Sequence, residues 1–74
     1  MPVKNNRALA FDYTVERYPE EGNSSHPKKN KYHDVYRTMH GEYALAMDSL
    51  LDHIDRMWNG YELTINKIIV YKLV

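Results

Sequence analysis

Residues 31–58 read KYHDVYRTMHGEYALAMDSLLDHIDRMW, and the fold turns on how this stretch is parsed. At about 100° per residue, Tyr32, Tyr36, Met39, Tyr43, Met47, Leu50, Ile54 and Met57 fall on one stripe. Leu51 and Trp58 lie at its edge, and Asp34, Arg37, Asp48, Asp52, Asp55 and Arg56 lie opposite. This predicts one long amphipathic helix over 31–58. Asn30 is its expected N-cap and Asp34 suits the positive end of the helix dipole. Gly41 costs about 1 kcal/mol inside a helix. The stripe runs through it without a phase change, so one helix is expected rather than two. Asn59-Gly60 supplies the stop.

Working outward, residues 7–18 alternate Leu9, Phe11, Tyr13 and Val15 with Ala10, Asp12, Thr14 and Glu16. That is the period of a strand with one buried and one wet face, and Pro19 ends it. Residues 19–30 are polar and rich in turn formers, so a long loop is expected. Residues 61–74 read as a strand. Leu63 and Ile65 alternate, but Ile68, Ile69, Val70, Tyr71 and Leu73 are apolar on both faces. A bulge near Asn66 is favoured over a tight turn at Asn66-Lys67, because Asn-Lys is a weaker hairpin signal than Asn-Gly.

The expected architecture is a small single α+β domain: strand, long loop, long helix, strand. Two strands under one helix are barely stable alone. The long helix would overhang them, and the C-terminal strand has two apolar faces. Completion of the sheet in a homodimer is therefore expected.

The chain has 74 residues and no cysteine, which excludes disulfides and thiolate metal sites. Ten basic and ten acidic residues cancel, so no global field attracts nucleic acid or a membrane. The longest apolar run, Ile68 to Tyr71, is far short of the about 20 residues of a membrane span. The basic N-terminus has no apolar run behind it, so no secretory signal is read, and a cytoplasmic location in the producing or a host cell is the default expectation. That leaves little weight for the glycosylation triplet at Asn23-Ser24-Ser25.

No reaction is specified. His33 and His40 lie seven residues apart and His53 falls on another flank, so no metal is expected. Ser24, Ser25 and Ser49 lie in no nucleophile elbow. With glycines only at 22, 41 and 60 there is no phosphate loop, and no cofactor or small-molecule substrate is expected. Asp48, Asp52 and Asp55 read as a solvated helix flank, with Asp52 placed to pair with Arg56.

What remains is binding. Seven tyrosines suit an interface. The helical stripe changes character along its length: Met47 to Trp58 is aliphatic and core-like, whereas Tyr32, Tyr36, Met39, His40 and Tyr43 read as a protein-contact surface. The first expectation is a non-enzymatic regulator or inhibitor that binds another macromolecule. Small free-standing proteins of this type are often encoded by phages or mobile elements, which is association rather than physics. The alternative is a nucleic-acid-binding dimer using Lys28, Lys29, Lys31, Tyr32 and Arg37, where lysines would neutralise phosphates and the tyrosine would stack on a base.

Overall fold

The computed structural model describes residues 6–19 and 28–73. The element order is β1 (Arg7–Arg17), β2 (Asn30–Arg37), α1 (Tyr43–Met57) and β3 (Glu62–Lys72). The three strands form one antiparallel sheet in the order β2-β1-β3, so the fold is α+β. Most of the loop read at 19–30, including Glu20-Glu21, Asn23-Ser24-Ser25 and His26, lies outside the described residues.

The single helix over 31–58 is corrected by the structure. Its N-terminal part is a strand, and the helix starts at Tyr43. Asn30 opens β2 instead of capping a helix, and Asp34 sits mid-strand, where its Oδ1 accepts from the Val35 amide at 2.8 Å. The physical reason is local. KYHDVYRT is rich in β-branched and aromatic residues, which fit a pleated surface better than a helix turn. The strong helix formers begin at Tyr43-Ala-Leu-Ala-Met.

β1 lies at the centre of the sheet. Leu9, Phe11, Tyr13 and Val15 face the helix and form the core with Ala46, Leu50 and Ile54. Phe11, Tyr13, Val15, Ala46 and Leu50 are completely buried. Arg56 Nη2 meets Asp52 Oδ2 at 2.8 Å on the exposed helix flank, the i,i+4 pair that the spacing predicts. Gly60, at φ 89°, ends the helix in the left-handed region, and the Tyr61 amide donates to Trp58 O.

β3 is one strand with a bulge. Asp12 pairs with Lys67 but Tyr13 pairs with Ile65, leaving Asn66 as the extra residue. Asn66 Nδ2 donates to Asp12 Oδ1 (3.1 Å) and Thr14 Oγ1 (2.9 Å), both on the face of β1 away from the helix. The bulge sets the phase on either side. Leu63, Ile65, Ile68 and Val70 share the helix side, while Glu62, Thr64, Lys67, Ile69 and Tyr71 share the open face.

The turn from β2 into α1 is held by Thr38, the one buried polar residue among the described residues. Its hydroxyl donates to Leu9 O at 2.7 Å and accepts from the His40 amide at 3.1 Å. Its amide also donates to Leu9 O, and the Leu9 amide donates to His40 O. The Tyr71 hydroxyl donates to Thr38 O, which ties β3 to the same point. Gly41 follows directly. A Cβ there would lie 2.8 Å from the backbone oxygen of Arg7.

Gly41→Ala therefore separates the two readings of this segment by sign. In a helix interior, alanine would stabilise by about 0.5–1 kcal/mol. Against the Arg7 carbonyl it is expected to destabilise by about 1–3 kcal/mol, as overpacking does. Urea denaturation of the two proteins measures which holds.

Candidate protein-interaction surface

The tyrosine-rich contact surface read on a helix does not exist as one stripe. Tyr32 and Tyr36 lie on β2, Met39 and His40 in the connection, and Tyr43 at the first residue of α1. Tyr36 and Tyr32 turn towards the helix side and pack there. Tyr36 stacks on His53 (centroids 4.4 Å, 16° apart) and its hydroxyl lies 2.8 Å from Ser49 Oγ. Tyr32 stacks on Trp58 at 5.1 Å, with Tyr61 edge-on to both rings. Trp58 Nε1 donates to the Tyr13 hydroxyl at 3.2 Å. The group is an aromatic seam that fastens the helix and its C-terminal turn to β2. Tyr43 meets Phe11 edge-on at 6.5 Å and stays half exposed, and Met39 and His40 are exposed.

The basic patch of Lys28, Lys29, Lys31, Tyr32 and Arg37 is also divided. Lys28 is exposed ahead of β2. Lys29 Nζ lies 3.3 Å from Glu16 Oε1 and 3.5 Å from Glu62 Oε1, and Lys31 Nζ lies 3.4 Å from Glu16 Oε2. Lys29 holds the Glu16 carboxyl below its ordinary value, with Lys31 adding to the effect. The Lys29 ammonium is in turn held above its ordinary value, first by Glu16 and then by Glu62. These cations are matched by carboxylates on the same face. Tyr32, the expected stacking residue, lies on the other face against Trp58. Arg37 reaches over the Tyr71 ring, 5.7 Å from its centroid. The ring and guanidinium meet above β1, where Ala10 leaves room. Ala10, Val35, Arg37, Ile69 and Tyr71 line a shallow open depression.

Further along the open face, His33 Nε2 lies 2.5 Å from Asp12 Oδ1. Among the described residues, no group of three or more His, Cys, Asp or Glu side chains comes together as a metal site would require. Ser49 is engaged with Tyr36 in the packing seam. Asp12 and His33 stand on the open sheet face, with His33 exposed. No described helix is long and apolar enough to cross a membrane.

A stretch of exposed apolar surface lies on the helix side along β3. Ser49 and His53 point to β2, so Met47 and Leu51, on the opposite helix flank, point to the β3 side. The helix is seated on β1. At 1.5 Å per residue its 15 residues span about 22 Å, against about 36 Å for the 11 residues of β1. It begins near Phe11, where Tyr43 makes its contact, so the Leu9 end of the sheet runs on beyond it. The result is an abrupt step in exposure between strands. Leu9 and Phe11 are 8% and 0% exposed, but their β3 partners Val70 and Ile68 are 59% and 46% exposed on the same face. Leu51, on the helix flank towards β3, is 46% exposed. Ile68 and Val70 carry no separate sequence signal, since a strand apolar on both faces does not say which face is uncovered.

The two free sheet edges differ. β2 reads Asn-Lys-Tyr-His-Asp-Val-Tyr-Arg, with a charged or histidine side chain at four of its eight positions. Charged residues discourage pairing at an edge. In β3 the stretch Ile68-Ile69-Val70-Tyr71 has none, between Lys67 and Lys72. Comparison with protein-family models, curated proteins and solved structures finds no match.

The open face makes a prediction about acid. Asn66 first and His33 second hold the Asp12 carboxyl below its ordinary value of 3.8, against a smaller opposing effect of desolvation. A carboxyl depressed in the folded state contributes stability that is present above the unfolded value and lost as pH falls through the folded one. The Asp12 contribution is therefore complete at neutral pH and disappears on acidification below about pH 4. Asp12→Asn is expected to lower the melting temperature at pH 7 and to converge with the parent near pH 2. Parallel melting curves across that range would contradict it.

Proposed function

We propose that this chain is a non-enzymatic interaction protein that binds another protein through the β3 edge and the uncovered apolar strip beside it. It would act as small regulators and inhibitors do, by occupying a partner. The observation that carries the reading is the exposure of Ile68 and Val70 on the face that elsewhere forms the core. Exposed apolar side chains next to an unpaired strand edge suit β-strand addition, in which backbone hydrogen bonds give affinity and alternate side chains give selectivity. The exposure of His33 beside Asp12, and the engagement of Ser49 in packing, support binding over catalysis. The ion pairs of Lys29 and Lys31 with Glu16 and Glu62 weigh against the nucleic-acid alternative, because those lysines would have to exchange carboxylates for phosphates.

Affinity capture on the immobilised chain tests the reading when run with and without nuclease. Protein retained after nuclease treatment is expected to be lost with Ile68→Ser combined with Val70→Ser. Both positions are exposed, so the double variant should keep its fold and lose less than about 1 kcal/mol. Leu50→Ala, in the buried core, should instead cost about 2–5 kcal/mol. Retention that vanishes with nuclease, or that ignores both serines, would refute the proposal.

A further inference from the structure

We infer that the partner at the β3 edge is a second copy of this chain, paired antiparallel with β3 across a two-fold axis at Ile69 to give a six-stranded sheet. The inference rests on the reading of β3 as the binding edge and adds the occupant. It follows from the order of residues along the strand. Directly opposed residues in an antiparallel pair share a face. When the two-fold lies perpendicular to the sheet, a residue must therefore face one of the same parity. Centred on Ile69, the strand meets itself in complementary pairs. Ile68 faces Val70 of the second copy, and Val70 faces its Ile68, both on the helix side. Ile69 faces Ile69 on the open side. Lys67 faces Tyr71, an ammonium beside a phenol ring of the kind already seen between Arg37 and Tyr71. A register centred on Lys67 would oppose two ammonium groups, and one centred on Tyr71 would carry the pairing off the end of β3.

The space above the strands fits the same arrangement. Both helices fall on one face of the extended sheet. Each sits over β1, and the two β1 strands are separated by three strand spacings, about 14 Å. Each helix begins near Phe11 and runs away from the two-fold, so neither stands in the way of the other. The four exposed side chains Ile68 and Val70 would lie against one another about the axis. β2 is less suited, because Lys31, His33 and Arg37 share its open face.

The test uses the full chain. Sedimentation equilibrium is expected to give a concentration-dependent mass rising to twice 8.8 kDa. Val70→Lys should weaken the dimer about thirty-fold or more, with the circular dichroism spectrum unchanged. Val35→Lys, on the β2 edge, should leave the dimer intact. Because the chain has no cysteine, nitroxide labels at Lys67→Cys and Lys72→Cys report the register directly. The Ile69-centred pairing predicts label-bearing Cα atoms about 14 Å apart at 67 and about 20 Å apart at 72. A mass fixed at 8.8 kDa up to millimolar concentration would overturn the inference, as would a dimer lost on Val35→Lys but kept on Val70→Lys. A dimer whose labels lie about 5 Å apart at 67 and about 34 Å apart at 72, as a Lys67 centre would place them, would overturn the register and its pairing logic. Should the chain prove monomeric while the serine variants still abolish capture of a foreign protein, the binding edge survives and the second copy does not.

Discussion

Among the described residues β1 is the only strand hydrogen-bonded on both sides, and its helix-side residues Leu9, Phe11, Tyr13 and Val15 are all buried. The other elements are arranged around that strip. α1 covers it from Phe11 onwards with Ala46, Leu50 and Ile54. β2 contributes Tyr32 and Tyr36, which clamp the helix through Trp58, His53 and Ser49. Beyond the helix, the turn at Thr38 protects Leu9. The threonine hydroxyl is satisfied on both its donor and acceptor sides, so a polar side chain is buried there without an unmet hydrogen bond. Because the Tyr71 hydroxyl reaches Thr38 O, all three strands meet at that point.

The strand β1, the helix from Met47 to Trp58, its stop at Asn59-Gly60 and the bulge near Asn66 were legible in the residues. β2 was not, for a definite reason. Tyr32 and Tyr36 are four apart, and a separation of four places residues on one face of a strand as well as near one face of a helix. The later stripe residues then extended a helical phase through Gly41 by coincidence. The contrary signals were present: Val35 lay off the helical stripe, His33, Val35 and Arg37 alternate with the tyrosines, and Gly41 preceded the run of strong helix formers. Gly41 itself reports a close backbone approach to Arg7, which no local pattern contains. Of the residues expected at a contact surface, Tyr36 is engaged with His53 and Ser49, whereas Tyr32, Met39 and Tyr43 are 45%, 72% and 53% exposed.

Charge follows the architecture too. The sequence contains a cluster of lysines, but the sheet brings Glu16 and Glu62 from two other strands beside them. The open face is thereby laced by Lys29, Lys31, His33 and Arg37 against Glu16, Glu62, Asp12 and the Tyr71 ring. A linear reading sees a cationic stretch because its counter-charges are distant in the chain. Lysines already paired with carboxylates present less unmatched charge to a polyanion than the sequence suggests, and the exposed pair Ile68 and Val70 is on the opposite side.

That apolar area is a consequence of helix length. A helix spanning 31–58 would have overhung a two-stranded sheet, and an unfinished sheet was then the reason to expect a partner. With residues 30–37 forming a third strand, the sheet gains a protected edge, but only 15 residues remain to cover it. They cover β1 and reach β2 through its tyrosines, leaving Ile68 and Val70 of β3 without a layer above them. Making the helix longer would require the residues that form β2 and its turn. Making β3 polar on that face would remove the exposed pair at no cost to the core, since neither side chain belongs to it. The sequence instead places Ile and Val there, flanked by Ile69 and Tyr71 on the reverse face, and keeps charge off that part of the edge while distributing it along β2. The asymmetry between two edges of one sheet is what distinguishes a surface built for pairing from apolar residues scattered at random.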